Sequence, residues 1–286
     1  MSLMHDQWFT EVLQDRTAFS VRYTEVLYDK ISDFQRIQIF DSAALGRVLV
    51  LDGCFMVTEK DSFIYHEMLV HPAMAVAREP RKALVIGGGD GGTVTELVKY
   101  PELEAITLCE IDPMVVSTCR EYFPDISSGL MDPRVTVVNK DGAAFIRSFE
   151  AELDVILVDS TDPVGPGKAL FEVSFFEDIK RALKPDGVAV FQTESPLFLE
   201  EVFSAAVGDL GKVFGATRCR PYLVTIPTYP GALWSFTFCS GNRDPVGDAP
   251  DAVRPELARR LRYWTPEIHR ASFALPVFVE DLIAKV

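Results

Sequence analysis

Over residues 20–58 apolar and polar positions alternate in short runs, VRYTEVLYDK, FQRIQIFD and RVLVLDG, rich in β-branched and aromatic residues. A period of two buries one face of a strand and leaves the other wet. Turn formers separate the runs at Ser32-Asp33 and at Asp41-Ser42 with Gly46. The pattern predicts a small antiparallel sheet unit, followed by a helix over residues 62–77. At Ala83 the pattern changes. ALVIGG, AITLCEID, VTVVN, DVILVDS and GVAVFQ are near-continuous apolar runs and read as strands. Residues 93–100, 113–122, 143–149, 171–183 and 197–210 read as helices between and after them, with Pro113 at the favoured first helical position. Strands apolar on both faces that alternate with helices belong to a parallel sheet covered on both sides. A last pair of runs, about 217–227 and 233–239, predicts an antiparallel edge hairpin, and the tail from Pro255 is partly helical.

Charge narrows the partners. The 286 residues hold 28 Lys and Arg against 42 Asp and Glu, a net charge of −14. Such a chain repels phosphate backbones and anionic membrane surfaces and suits cationic small molecules. No apolar run approaches the roughly 20 residues that span a bilayer. The start, MSLMHDQWFTE, lacks the basic and apolar regions of a signal peptide, and the five cysteines form no C-x-x-C pair. A reducing cytoplasm is therefore expected, without a disulfide framework or a structural zinc site. Neither a G-x-S-x-G elbow nor an H-x-x-x-H spacing occurs, so a serine hydrolase and a zinc enzyme are set aside.

Two motifs stand at predicted strand ends. GGGDGG, residues 87–92, lies between a strand and a helix, where glycines let backbone approach a ligand closely. Glu110 ends the next strand, placed to accept hydrogen bonds from ribose hydroxyls. Asp90 at the loop tip would repel a pyrophosphate, so the loop fits a nucleoside without phosphate, preferably a cationic one such as a sulfonium. VDSTDPVGP, residues 158–166, puts Asp159 and Asp162 at the carboxyl end of a parallel strand, where open α/β sheets bind ligands. Its prolines and glycines shape a loop suited to closing over a site. Tyr65, His66 and Glu67 in DSFIYHEM, Gln192 in FQTES and Tyr229 in IPTYPGALW are more often structural than catalytic when each is taken alone.

In order along the chain stand DFQRIQIFDS, GRVLVLDG, EKDSFIYHEM, VIGGGDGG, CEID, DPRV, VDSTDPVGP, IPTYPGALWSF and HRASFALPVFV. As an ordered set running from about Trp8 to the C-terminus, they resemble the spermidine synthase family of polyamine aminopropyltransferases, in a bacterial form by the YHEM and SFALP segments. The resemblance implies an α/β fold: a small N-terminal antiparallel β domain, residues 1–60, then a Rossmann-like, methyltransferase-type domain, residues 61–286, with a mainly parallel sheet and an antiparallel edge hairpin. It implies transfer of the aminopropyl group of decarboxylated S-adenosylmethionine to putrescine, giving spermidine and methylthioadenosine. No permanently bound cofactor and no metal are implied; the donor is a co-substrate. By the same resemblance Gln35 and Glu110 hold the donor's ribose end, Asp141 and Gly142 its adenine, with Pro166 lining that pocket, and Asp90 its aminopropyl ammonium. Tyr65, His66, Asp90, Asp159, Asp162, Gln192 and Tyr229 bind the polyamine, Asp159 is the catalytic carboxylate, and residues 160–174 form a gate loop. Many members carry Gln where this chain has Met56. Relatives of this kind are usually homodimers or homotetramers.

The implied chemistry is an in-line displacement in which a neutral amine attacks the methylene carbon beside a sulfonium. The leaving group is already activated by its charge, so positioning and one deprotonated amine suffice. Asp159, helped by Tyr65, is the candidate to orient the amine and take its proton. Asp162 would hold the diamine's far ammonium. Two rivals are an S-adenosylmethionine-dependent amine N-methyltransferase on the same fold and a non-catalytic polyamine-binding protein; a third keeps the enzyme but changes the acceptor to cadaverine, agmatine or spermidine.

Overall fold

The structure, a computed structural model, describes residues 7–163, 165–229 and 231–286; the side chain of Pro166 lies outside the described residues. The chain opens with a hairpin, β1 (Gln7–Leu13) against β2 (Thr17–Tyr23). A four-stranded antiparallel sheet follows in chain order: β3 (Glu25–Ile31), β4 (Arg36–Ser42), β5 (Gly46–Leu51) and β6 (Cys54–Thr58). The run VRYTEVLYDK is not one strand: it breaks at Thr24, whose N–H and hydroxyl both bond to the Asp41 carbonyl. Strand β1 carries an inverted pattern, with Trp8 and Val12 exposed and Glu11 buried, so alternation alone does not reveal its inner face.

The four-stranded sheet packs on both sides. Phe40, Val48, Val50 and Phe55 meet Val21 of the hairpin. Ile37, Ile39, Leu49, Leu51 and Val57 meet Val115, Cys119 and Phe123 on and just after α3 (Pro113–Tyr122). This second contact seats the sheet over the rest of the molecule and brings the β3–β4 loop, with Gln35, to the site.

Helix α1 (Ser62–Val76) leads into a seven-stranded sheet. Its strands are β7 (Lys82–Gly87), β8 (Ala105–Cys109), β9 (Val135–Val138), β10 (Leu153–Asp159), β11 (Leu183–Gln192), β12 (Cys219–Thr225) and β13 (Leu233–Ser240). The order is β12-β13-β11-β10-β7-β8-β9; the five strands from β11 to β9 are parallel, and the β12–β13 hairpin closes the edge antiparallel. Alternate residues serve opposite cores. Val85, Leu157 and Val190 pack with Met68, Leu69 and Val70 of α1. Ile86, Val158 and Phe191 pack with Phe175, Phe176 and Ile179 of α5 (Val173–Ala182).

The helices between differ from the sequence pattern mainly in length. α2 is Gly92–Leu97, three residues shorter than expected at its end, and α4 is only Gly142–Phe145, continued by a 3-10 turn. α6 (Glu200–Phe214) precedes the edge hairpin, and the tail carries α7 (Pro255–Ala258), α8 (Pro266–Ser272) and α9 (Val277–Ile283). Among the described residues no helix is long and apolar enough to cross a membrane.

From β7 the chain proceeds outward to β8 and β9, then returns to lay β10 on β7's other side. The connections therefore diverge at the carboxyl ends of β7 and β10, the switch point at which open parallel sheets form a ligand crevice.

Candidate active site

Gly87 ends β7, Asp159 ends β10, and the two are register partners. The glycine loop then curls around the Asp159 carboxylate. Gly88 has φ +69°, and a Cβ there would lie 2.6 Å from Asp159 Oδ2, so both the turn and the close approach require glycine. A Cβ on Gly92 would fall 2.1 Å from the His66 ring, which is why α1 and α2 can meet here.

Five side chains converge at this point. The Tyr65 hydroxyl donates to Asp159 Oδ1 at 2.7 Å, and the Thr93 hydroxyl to Oδ2 at 2.6 Å. His66 Nε2 lies 3.0 Å from Asp90 Oδ1, which also accepts the Gly92 N–H at 2.7 Å. One atom each of His66, Asp90 and Asp159 falls within 4.8 Å of the others, close enough for a single cationic group to touch all three. Burial pushes Asp159 up to about 6, aided by the charge of Asp90 and opposed by His66 and the two hydroxyls. Burial acts the same way on Asp90, but the charge and hydrogen bond of His66 outweigh it and hold Asp90 below the usual carboxylate range. His66 in turn is raised: burial lowers it, and Asp90 more than reverses this. His66 thus favours the ionised form of Asp90, whereas Asp159 titrates near 6.

A partly open cleft of about 1130 Å³ runs from this cluster over the glycine loop. Glu110, just past β8, lines it; its Oε1 accepts the Asp112 N–H at 2.9 Å, and burial pushes it up to about 7. Gln35 lines the same wall and donates to Asp112 Oδ2 at 3.1 Å. Asp141 caps α4 through the Ala143 N–H at 2.8 Å, and Gly142 packs where a Cβ would meet Ile86 at 2.4 Å. Pro166, expected to line this wall, has its side chain outside the described residues, and Val164 of the expected gate loop lies outside them too.

A smaller cavity of about 470 Å³ adjoins the cleft; Met56, Tyr65, Ser160, Thr161 and Tyr229 line both. Asp162, Gln192 and Trp234 line the smaller one. Tyr229 donates to the Met56 carbonyl at 3.0 Å and stacks edge-on with Trp234, 4.8 Å between ring centres. All sequence-predicted residues with described side chains therefore meet at one crevice, divided between its two chambers.

Three residues were not anticipated. Glu11 of β1 lines the small cavity, accepts the Phe55 N–H at 2.7 Å and is pushed up to about 7 by burial. Glu194 is fully buried at φ +66°, a left-handed backbone a non-glycine residue rarely adopts. Its Oε1 accepts from Gln192 Nε2 at 2.8 Å, its Oε2 has no partner, and burial followed by the charge of Asp162 raises it well above the usual range. The third is Thr93. Its position inside GGGDGGT was legible, but its bond to Asp159 was not.

These raised carboxyl groups set a pH dependence. A group raised on folding binds its proton more tightly in the folded chain, so its stabilising effect is present at low pH and is lost as pH rises through the folded value. With Glu11 and Glu110 near 7 and Asp159 near 6, the ligand-free protein is expected to melt a few degrees higher at pH 6 than at pH 8. Calorimetry at the two pH values checks this; a midpoint equal or higher at pH 8 would contradict it.

Comparison with known proteins places these features. Residues 62–247 match the spermine/spermidine synthase domain, and residues 7–59 match the spermidine synthase tetramerisation domain. The chain is 45% identical over 280 residues to a polyamine aminopropyltransferase of Moorella thermoacetica, covering 98% of this chain and 97% of that protein. It is 44% identical over 281 residues to one from Clostridium perfringens, with 98% of each covered. A crystal structure of spermidine synthase in complex with the transition-state analogue AdoDATO superposes with a TM-score of 0.93 at 41% identity, over 99% of this chain and 96% of that one. Spermidine synthase from Thermotoga maritima superposes with a TM-score of 0.91 at 40% identity, with the same coverage.

Proposed function

The chain belongs to the spermine/spermidine synthase family, and on that premise we propose that it transfers the aminopropyl group of decarboxylated S-adenosylmethionine to putrescine. The observation that carries this reading is a carboxylate beside the junction of two chambers: Asp159 lines a long cleft and accepts from Tyr65, which stands with Tyr229 on the wall that this cleft shares with a small acidic cavity. In this assignment the donor's nucleoside lies along Gln35, Glu110, Asp141 and Gly142, and its aminopropyl ammonium meets Asp90. The diamine enters the small cavity past Tyr65 and Tyr229, and its distal ammonium meets Asp162, Gln192 and Glu11. His66 acts through Asp90, keeping it ionised.

The attacking nitrogen then lies beside Asp159. Its lone pair forms the new C–N bond as the C–S bond breaks; the electron pair of that bond goes to sulfur, and neutral methylthioadenosine leaves. The nitrogen's surplus proton goes to the Asp159 carboxylate. Acceptor amines are protonated at neutral pH, like lysine at roughly 10.4, and an ionised Asp159 favours that form. The neighbouring sulfonium and the buried surroundings oppose it, and a carboxyl group near 6 is close enough to working pH to receive the proton and pass it on.

Match of residues 7–59 to a tetramerisation domain, with Trp8, Val12, Val26 and Ile31 exposed on β1 and β3, supports assembly as a homodimer or homotetramer. The function is tested by methylthioadenosine release from the decarboxylated donor with a panel of putrescine, cadaverine, agmatine and spermidine. The reading predicts the highest kcat/KM for putrescine; a clear preference for another amine would reassign the acceptor.

A further inference from the structure

Asp159 is fixed by two hydroxyl groups of unequal standing. Tyr65, on α1, faces both chambers and is placed to touch an incoming amine. Thr93 lies on the second residue of α2, is fully buried, and lines neither chamber. Its hydroxyl could have turned back onto its own helix, the usual alternative for a threonine there. It instead donates 2.6 Å across to Asp159 Oδ2, 66 residues away in sequence.

We propose that Thr93 is a positioning residue of the aminopropyl transfer: by donating to Oδ2 it fixes the plane of the Asp159 carboxylate and keeps that group ionised for the amine proton. The inference rests on the proposed function for its catalytic meaning, though not for the bond itself. With Tyr65 on Oδ1 and Thr93 on Oδ2, both oxygens are tied and the carboxylate cannot swing about its Cβ–Cγ bond without losing one donor. The surrounding charges leave a clear task for a neutral donor. Asp90 on the glycine loop and Glu110 past β8 are acidic and disfavour a further charge at Asp159. His66 favours it but is engaged by Asp90; Tyr65 contributes a hydroxyl without charge, and the Tyr229 hydroxyl is taken by the Met56 carbonyl. A hydrogen bond to the ionised form lowers a carboxyl pKa without introducing a cation that would repel the two cationic substrates.

Thr93→Val keeps the shape and removes the donor. The acid limb of its kcat/KM profile is expected to move up by about one pH unit, while the donor KM stays unchanged. Thr93→Ser restores the hydroxyl and is expected to return the limb to its wild-type position. Thr93→Ala makes the same comparison should valine not fold. A Thr93→Val limb at the wild-type pH, or a Thr93→Ser limb displaced as far as that of valine, would overturn the proposal. A second readout needs no turnover: carbon-13 NMR titration of the Asp159 carboxyl in ligand-free protein, assigned with Asp159→Asn, should show the same upward shift in Thr93→Val. If wild-type protein released no methylthioadenosine, the proposed function would fail while this titration still decided whether Thr93 holds Asp159 ionised.

Discussion

Asp159→Asn is expected to lower kcat for methylthioadenosine formation about a thousandfold, with the donor KM held within a few-fold. The asparagine keeps the size of the side chain and the cavity around Gly88, yet removes both the charge and the proton acceptor. It also turns an NH₂ group toward either Tyr65 or Thr93, so one of the two hydroxyls must rotate to accept instead of donate, and its own proton loses Asp159 as a partner. The proposed nucleoside contacts at Glu110, Gln35 and Asp141 line the cleft away from the substitution and are untouched, which is why donor binding should survive. Steady-state kinetics with both substrates varied, beside a melting curve to show an intact fold, measures this. A variant within tenfold of wild type would remove Asp159 from the proton transfer.

The largest effect on stability is expected from Glu67, two residues from Tyr65 but facing the other way. It is buried, and its carboxylate accepts three backbone N–H groups from the tail: Arg262 on Oε1, Tyr263 and Trp264 on Oε2, each at 2.8 Å. These bonds seat the segment between α7 and α8, and with it Trp264 and Phe273, onto the core under α1. Glu67→Ala would leave three backbone donors without their carboxylate, that of Trp264 buried and those of Arg262 and Tyr263 part-buried, and stability should fall by about 3–5 kcal/mol. The melting midpoint should drop by roughly 10 °C. Glu67→Gln keeps one carbonyl oxygen, and so the pair of bonds at one position, and should lose about half as much. Denaturant titration of the two variants tests the order; equal losses would mean that burial of the side chain matters and its acceptors do not.

Local signals carried much of the fold. Helix α3 begins and ends where the sequence places it, because Pro113 stands at its first position and Asp112 caps it by accepting the Met114 N–H at 2.9 Å. The parallel strands were legible because both their faces are covered, and GGGDGG and VDSTDPVGP were legible because β7 and β10 end in them. The resemblance to the spermidine synthases supplied the proposed residue roles, which such signals cannot. What escaped depends on tertiary placement. In β1 the buried residue is Glu11 and the exposed ones are Trp8 and Val12, the reverse of what alternation teaches. Glu194 sat in view within FQTES, but its left-handed backbone and its approach to Asp162 come from packing of β11 against the edge hairpin. Glu67 drew notice as a neighbour of Tyr65 and His66, though a helix turns successive side chains to different sides, and this one serves the tail.

The account rests on two cations meeting at Asp159, with transfer of an aminopropyl group, not a methyl group, between them. Its most direct test is the mass of the product when purified protein receives putrescine with either decarboxylated S-adenosylmethionine or S-adenosylmethionine itself. Gain of an aminopropyl group from the decarboxylated donor, with methylthioadenosine released in equal amount and no reaction with the other donor, is the predicted result. Gain of a methyl group, or an unchanged diamine with both donors, would contradict it.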